Sequence, residues 1–213
     1  MKCDKKAMLL YAVTDRTWVG KQTLMEQVTD CLKGGATCVQ LREKNLDEAS
    51  FLQEAIEMRA LCKQYNVPFI VNDNVEIAIV SKADGIHVGQ SDMEASCVRD
   101  KIGPDMILGV SAKTVEQALR AEKSGADYLG VGAVFATSTK LDAGTVSYDT
   151  VKAICEAVSI PVVAIGGIGR SNLMQLAGSG VDGVAVVSAI FGAEDVRKAT
   201  EELHVLSAEM IRR

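Results

Sequence analysis

The sequence predicts an α/β protein, a single (β/α)8 TIM barrel over residues 1–213. Three observations predict it. Short apolar runs recur along the chain, amphipathic segments lie between them, and no linker or low-complexity segment interrupts the series. Eight units in 213 residues leave about 27 residues for each strand, helix and pair of loops. The runs are 9–13, 38–41, 69–71, 86–88, 107–110, 128–134, 162–165 and 184–190.

The eight runs are rich in Val, Ile and Leu with little polar alternation, as expected of parallel strands covered on both faces. Apolar residues at three- and four-residue spacing predict helices over 46–65, 114–123 and 148–158. A doubly wound open sheet is the alternative. It would want a glycine-rich dinucleotide loop after the first strand, and the sequence there reads TDRTWVG.

A weak internal repeat places four of the units independently. In each copy a glycine or a lysine ends a helix, a small residue and usually an aspartate make the turn, and an apolar strand follows. Glycine there suits the left-handed position after a helix. The copies are GGATCVQL (34–41), KADGIHVG (82–89), SGADYLGVG (124–132) and SGVDGVAVV (179–187).

Composition excludes several classes of protein. The net charge of −5 argues against nucleic acid as a partner. The longest charge-free stretch, 157–169, is shorter than the roughly 18–20 apolar residues of a membrane span. The first 16 residues lack the pattern of a signal peptide, and the six cysteines form no CxxC pair. We therefore expect a cytoplasmic protein with buried, reduced thiols and no membrane partner.

Basic side chains follow the second predicted strand. In a barrel, chemistry belongs at the carboxyl ends of the strands. Two-residue alternation in VQLREK (39–44) puts Gln40, Arg42 and Lys44 on one side. A guanidinium fork beside an ammonium group is suited to gripping an anion. The alternative is a solvated charged loop.

Carboxylates follow the next two strands. Asn72 and Asp73 come after the third run, and Gln90 and Asp92 after the fourth. Two carboxylates from neighbouring strands suggest a hard divalent ion such as Mg2+. Alternatively, each aspartate caps the following helix, and capping suits Asp92 equally well. His87 is expected to be a packed core residue rather than a ligand.

The later strand ends add a hydroxyl, a loop and a phosphate cradle. Ser111 follows the fifth run, which alone is a weak signal. The polar loop 136–144 either folds over a substrate or is an ordinary surface loop. Gly166 and Gly167, with Ser188 and the helix start after it, predict a phosphate site.

Two predicted anion sites at the carboxyl ends of the strands, which form the mouth of the barrel, indicate a transferase. The cationic, metal-assisted site fits a diphosphate, and the backbone cradle fits a monophosphate. We therefore expect an enzyme that joins a diphosphate-activated group to a phosphorylated acceptor. No Ser/His/Asp or Cys/His nucleophilic set is evident, and stabilising a leaving diphosphate needs none.

The motifs in order resemble the thiamine phosphate synthase family, from LYAVTD at 10–15 to Phe191. They are VQLREK, FIVND, GIHVGQSD, GVSA, the TSTK loop, VVAIGGI and VSAIF. The resemblance implies a TIM barrel that condenses 4-amino-5-hydroxymethyl-2-methylpyrimidine diphosphate with 4-methyl-5-(2-hydroxyethyl)thiazole phosphate. The products are thiamine phosphate and pyrophosphate, formed by a dissociative, Mg2+-assisted substitution.

The resemblance also assigns residues. For catalysis it implies Arg42, Lys44, Ser111 and Lys140. For the pyrimidine diphosphate it implies these four with Gln40, Leu41, Glu43 and Asn72. For the thiazole phosphate it implies Thr137, Ser138, Thr139, Gly167, Val187 and Ser188. For Mg2+ it implies Asp73 and Asp92.

One departure and two alternatives accompany the resemblance. The family loop usually begins with proline, where Ala136 stands here, so we expect a looser loop. A thiazole tautomerase would want an acid–base histidine at the mouth, for which neither His87 nor His204 is expected to be well placed. A non-catalytic phosphate-ligand sensor would lose the metal carboxylates or Lys140. The expected partners are small-molecule substrates, with a homo-oligomer left open.

Overall fold

The computed structural model describes residues 3–89, 94–136 and 145–213. Eight parallel strands close into a barrel in chain order, with β8 pairing back onto β1. The predicted (β/α)8 barrel is confirmed. The strands are β1 (Leu10–Val13), β2 (Cys38–Leu41), β3 (Phe69–Asn72), β4 (Gly85–Val88), β5 (Ile107–Ala112), β6 (Tyr128–Gly132), β7 (Val162–Ile165) and β8 (Gly183–Val186).

Helices surround the barrel, and the three predicted from periodicity lie within two residues of their expected bounds. They are α1 (Leu24–Lys33), α2 (Glu48–Gln64), α3 (Val75–Val80), α4 (Ala95–Ile102), α5 (Val115–Lys123), α6 (Tyr148–Ala157), α7 (Ser188–Phe191) and α8 (Val196–Met210). None of the helices in the described part of the chain is long and apolar enough to cross a membrane.

Two local expectations differ from the structure. The fully described segment 166–182 carries a short 3-10 helix, Leu173–Leu176, where other units have an α-helix. Glycines with positive φ at both ends of this segment commit much of it to turns. The apolar run 184–190 is also not one strand, because β8 ends at Val186 and α7 begins at Ser188. Periodicity alone does not separate a buried strand from a buried helix start.

The internal repeat corresponds to four equivalent turns at the amino-terminal end of the barrel. Gly35, Lys82, Gly125 and Gly180 all have positive φ. The first three directly follow the C-cap of a helix, where the left-handed conformation was predicted for glycine, whereas Gly180 lies four residues after the 3-10 helix. Two residues later stand what we call the latch residues, Thr37, Asp84, Asp127 and Asp182. They lie just before β2, β4, β6 and β8, and each bonds to the neighbouring strand that precedes it in the chain, β1, β3, β5 and β7 in turn.

Each latch residue makes two hydrogen bonds to one partner. Its side-chain oxygen accepts the partner's main-chain N–H, and its own N–H donates to the same partner's carbonyl. For Asp127 and Leu108 these distances are 2.8 and 2.7 Å. The partners of the other three are Leu10, Phe69 and Val162.

The core has two parts. A large apolar layer lies between the strands and the helices. A smaller cluster fills the barrel interior and includes Met8, Tyr11, Ile70 and Tyr128. The two buried tyrosines bring polar groups into this interior, directly beneath the carboxyl ends of the strands.

The six cysteines are all free, as predicted, but they are not all buried. Cys31, Cys38 and Cys62 are buried, whereas Cys97 on α4 is exposed. Burial raises the pKa of the Cys31 and Cys62 thiols to about 12, so both stay protonated at neutral pH.

Candidate active site

A cavity opens at the carboxyl ends of the strands and collects many of the predicted site residues. Its lining also includes apolar side chains such as Val163, Ile165 and Ile168. Eight of the predicted residues contribute to its wall: Gln40, Arg42, Asn72, Ser111, Gly166, Gly167, Val187 and Ser188.

Because side chains alternate along β2, the residues of the segment 39–44 face different surroundings. Gln40 faces the barrel interior and is 5% exposed, whereas Leu41 is fully buried in the helix-facing layer. The Leu41 side chain therefore points away from the cavity, and only its main chain can serve a ligand there. Lys44 is exposed and lies outside the cavity lining.

Glu43 contacts a neighbouring loop instead of the cavity. Its carboxylate is 2.8 Å from Arg16 Nε, and its side chain is 2% exposed. This contact is an ion pair without the alignment of a hydrogen bond. Burial raises the pKa of Glu43, and the Arg16 charge opposes that shift without cancelling it. The Glu43 side chain thus anchors the segment that carries Arg42.

Arg42 is oriented by two residues that sequence reasoning did not select. Its main-chain N–H donates to Thr14 Oγ1 at 3.0 Å, and its Nη1 donates to Asp15 Oδ2 at 3.3 Å. Burial would raise the pKa of Asp15, but hydrogen bonds from Thr17 and the nearby charges of Arg42 and Lys44 lower it overall. Asp15 therefore stays ionised and holds the guanidinium at the mouth.

Asp73 is not the cap of the following helix. Asn74 is the N-cap of α3, and its Oδ1 accepts the Ile77 N–H at 3.0 Å. Asp73 itself has a φ of 62°, and its N–H donates to the His87 carbonyl at 2.9 Å. This removes the capping alternative for Asp73 and is compatible with its predicted role as a ligand.

The metal site cannot be assembled from the described part of the chain. Asp92 lies outside the described residues. Within residues 3–89, 94–136 and 145–213, no group of three or more His, Cys, Asp or Glu side chains is arranged to hold a metal ion. The Mg2+ assignment therefore stays a prediction.

The loop after β6 is likewise only partly described. Thr137, Ser138, Thr139 and Lys140 lie outside the described residues. Ala136, which stands where the family usually has proline, is exposed at the edge of the described part.

Gly166 and Gly167 form the predicted phosphate cradle, which we call the glycine cradle, and their surroundings leave no space for a side chain. Gly166 and Gly167 have φ values of 102° and 64°. A Cβ added at Gly167 would lie 2.3 Å from the Ala136 carbonyl oxygen, and one at Gly166 would lie 2.5 Å from Ala133 Cβ. Glycine is therefore required at both positions, where the main chain forms part of the cavity wall.

The floor of the cavity contains polar residues that sequence reasoning missed. The Tyr11 and Tyr128 hydroxyls are 2.7 Å apart, and Gln40 Nε2 donates to Tyr11 at 2.8 Å. His87 Nδ1 is 3.0 Å from the Tyr128 hydroxyl, and His87 Nε2 is 2.9 Å from Ser111 Oγ. Lys113, just after β5, adds a second cation to the cavity wall.

The structure thus corrects the expectation that His87 is a packed core residue. His87 lines the cavity and contacts Ser111. A signal was present in glycines in the middle of two strands. A Cβ at Gly109 would lie 2.2 Å from Tyr128 Cζ, and one at Gly130 would lie 2.9 Å from His87 Cε1. These glycines make room for the two rings.

Together the barrel, the held arginine and the glycine cradle define a class of protein, the TIM-barrel enzymes that bind phosphorylated small molecules at the carboxyl ends of their strands. A family model described as thiamine monophosphate synthase matches residues 10–190. The chain belongs to this family and is a transferase enzyme of thiamine phosphate synthesis.

Individual relatives agree with the family match. A thiamine-phosphate synthase from Clostridium tetani is 50% identical over 194 residues, covering 91% of this chain and 93% of that protein. Another from Ruminiclostridium cellulolyticum is 52% identical, with coverage of 91% and 92%. The solved structure of a thiamine phosphate pyrophosphorylase from Pyrococcus furiosus superposes with a TM-score of 0.90 at 42% identity, covering 97% of this chain and 98% of that one.

Proposed function

We propose that the chain condenses the pyrimidine diphosphate with the thiazole phosphate named above, and that Mg2+ assists the departure of pyrophosphate. The observation that carries the proposal is that Arg42 and the Gly166–Gly167 cradle line one cavity. A cationic group at one side and a main-chain cradle at the other suit two phosphorylated substrates held face to face.

Arg42 is proposed to stabilise the leaving diphosphate, together with Lys44 and Lys140. Its held position supports this role, since a donor fixed in advance costs no reorganisation when charge develops. Lys113 lies in the same wall and adds positive charge near that group.

Asp73 and Asp92 are proposed to hold the ion. Mg2+ takes oxygen ligands, often one or two carboxylates completed by water and phosphate oxygens. Asp73 fits this donor set because the structure does not use it as a helix cap. When bound, the ion would neutralise charge on the diphosphate oxygens.

The chemistry then needs no nucleophile from the chain. The bond between the methylene carbon and the diphosphate oxygen breaks, and its electron pair leaves with pyrophosphate. The electron-rich pyrimidine stabilises the resulting cation, and the thiazole nitrogen supplies the pair for the new carbon–nitrogen bond. Water would compete for that cation, so the apolar wall formed by Val163, Ile165 and Ile168 supports the proposal by limiting access.

The thiazole phosphate is proposed to occupy the cradle. Gly167, Val187 and Ser188 line the cavity on the side of β7 and β8. Thr137, Ser138 and Thr139 would complete this subsite from the loop after β6.

The position of His87 bears on the tautomerase alternative. His87 lies in the floor of the cavity, so the expected lack of a histidine near the site no longer argues against that activity. A second argument against it is that a tautomerase has no use for Arg42 and Asp73. The named relatives also favour the synthase.

The direct test is pyrophosphate release by purified protein with Mg2+ and both substrates. We expect release only when all three are present. A tautomerase would act on the thiazole substrate alone, and a sensor would bind without turnover. Absence of release at every Mg2+ concentration, with both substrates shown to bind, would refute the synthase proposal.

Asp73→Ala separates the two proposed subsites. We expect a loss of turnover of about 100-fold or more, because a ligand of the ion beside the leaving group is removed. Calorimetry should show thiazole phosphate affinity within about twofold of the wild type. Asp149→Ala, an exposed aspartate on α6, is the matched control and should change neither quantity. Equal losses of turnover and thiazole phosphate affinity would contradict the division into two subsites.

A further inference from the structure

A chain of five hydrogen-bonded side chains crosses the floor of the cavity, and we call it the floor chain. It runs from Ser111 through His87, Tyr128 and Tyr11 to Gln40. Its members come from five strands, β5, β4, β6, β1 and β2. Its two ends are residues assigned to the pyrimidine substrate, whereas its three central residues have no role in the proposed reaction so far.

A single donor direction, set by the Gln40 amide, satisfies all four hydrogen bonds of the floor chain. Gln40 gives an amide hydrogen to Tyr11, so Tyr11 is free to give its single hydroxyl hydrogen to Tyr128. Tyr128 in turn gives its hydrogen to Nδ1 of His87, which therefore carries none. With no hydrogen on Nδ1, the imidazole hydrogen of His87 is on Nε2 and is donated to Ser111 Oγ.

Burial keeps the two phenols in the form this order requires. Both tyrosines are nearly inaccessible to solvent, which raises the pKa of each hydroxyl well above its usual value. Each phenol therefore retains one hydrogen to give. A reversed order would need Nδ1–H on His87 and the Gln40 amide turned over, with its oxygen facing Tyr11.

The surrounding main chain holds the rings of the floor chain in place. The ring centroids of Tyr11 and Tyr128 are 5.8 Å apart, and those of His87 and Tyr128 are 5.5 Å apart. Gly109 and Gly130 lie against Tyr128 and His87 so closely that neither position has space for a Cβ. The rings are thus packed against backbone, which cannot easily yield.

We propose that His87, as its Nε2–H tautomer, is a positioning residue that orients Gln40 through the two tyrosines and Ser111 through its own N–H. The Gln40 amide, with Nε2 committed to Tyr11, then has its oxygen and one remaining hydrogen to offer. An aminopyrimidine carries amino hydrogens and ring nitrogen acceptors that match this pair. The substrate part of this inference rests on the proposed function.

Two substitutions separate the halves of the floor chain. In His87→Asn the side-chain oxygen replaces Nδ1 as acceptor for Tyr128, but the N–H that His87 donates to Ser111 is lost. We expect the KM for the pyrimidine diphosphate to stay within about threefold while kcat falls about tenfold. In His87→Gln the amide N–H replaces Nε2 at Ser111, but Tyr128 loses its acceptor. We expect kcat within about threefold and a rise of about tenfold in that KM.

Tyr11→Phe provides a second variant that leaves His87 in place. It breaks the floor chain between Tyr128 and Gln40, so its kinetics should resemble those of His87→Gln. The KM for the thiazole phosphate should be unchanged in all three variants. A general loss of structure would lower kcat and raise the KM values for both substrates together. Such parallel changes would overturn the positioning proposal, although the protein would still be a synthase.

NMR of the full-length protein with 15N-labelled histidine tests the tautomer of His87 independently of any activity measurement. The chain has two histidines, and the second is an internal reference. His204 Nδ1 is 2.7 Å from the Gly35 carbonyl oxygen, which can only accept, so His204 carries its hydrogen on Nδ1. We expect His87 to show the opposite pattern, a bare Nδ1 and a protonated Nε2.

The outcomes of the two experiments are distinguishable. A protonated Nδ1 on His87 would overturn the positioning proposal whether or not the protein releases pyrophosphate. A bare Nδ1 with no pyrophosphate release would refute the proposed function and support the direction of the floor chain. A bare Nδ1 with the opposed effects of His87→Asn and His87→Gln would support both.

Discussion

The two ends of the barrel differ in how their charged side chains are used. At the amino-terminal end, Asp127 accepts the Leu108 N–H and pairs with Arg99, which in turn donates to the carbonyls of Gly103, Met106 and Gly125. At the carboxyl-terminal end, Arg42 is held by Thr14 and Asp15 but faces a cavity.

The difference indicates a division of labour along the barrel axis. The latch residues are committed to main-chain partners on the barrel wall, so their interactions contribute to folding. The residues at the mouth are oriented by neighbours while still lining a space for a ligand. Substitutions at the two ends should therefore affect different measured quantities.

The largest expected effect is on activity, from Arg42→Ala. Removing a donor from the developing charge should lower kcat/KM about 100-fold or more. Because the arginine makes few structural contacts, the thermal midpoint should move by no more than about 3 °C. Arg120→Ala is the matched control, since Arg120 pairs with Glu116 on the exposed face of α5. A variant that keeps its activity, or that loses activity only through unfolding, would contradict the role of Arg42.

Asp127→Ala should produce the next largest effect, on stability. It leaves the Leu108 N–H and the Arg99 guanidinium without their carboxylate, which we expect to lower the free energy of unfolding by about 2–3 kcal/mol. Denaturant titration measures this value, and kcat/KM of the folded variant should stay within about twofold. Asp100→Ala, an exposed aspartate on α4, should leave both unchanged. A large loss of activity in the folded Asp127 variant would break the proposed division between the two ends.

The smallest expected effect comes from Lys82→Gly in one of the four turns. Lys82 has a φ of 56°, where the other three copies of the repeat have glycine. Relief of left-handed backbone strain exceeds the entropy that glycine adds to the unfolded chain, so we expect a gain of about 0.5 kcal/mol. Ala60→Gly within α2 should instead lose about 1 kcal/mol. If Lys82→Gly instead lowered the free energy of unfolding by about 1 kcal/mol, side-chain interactions of Lys82 would outweigh its backbone strain, and the prediction would be wrong.

Sequence patterns predicted the parts of this molecule that depend on local periodicity. The turn glycines and the alternation of Gln40 and Arg42 follow from helix ends and strand geometry, and the structure places them as expected. The side of the strand taken by Leu41 was equally readable. Its assignment to the ligand came from the family motif, whereas its side chain points into the helix-facing layer.

The floor chain depends on contacts between strands that are distant in sequence. Tyr11 and Tyr128 are 117 residues apart and meet only when the barrel closes. His87 was expected to be a core residue because a single histidine in an apolar run does not reveal which residues of other strands it contacts. The glycines opposite Tyr128 and His87 were visible in the sequence, but their meaning depends on strand register.

The most direct test of the division between the two ends is hydrogen–deuterium exchange on the wild-type protein with and without Mg2+ and inorganic pyrophosphate. A ligand gripped at the mouth should slow exchange in residues 42–46 and 73–74. It should leave the turns at 35–37, 82–84, 125–127 and 180–182 unchanged. Protection confined to those turns, or bound pyrophosphate with no protection around Arg42, would contradict the assignment of the anion site to the carboxyl ends of the strands.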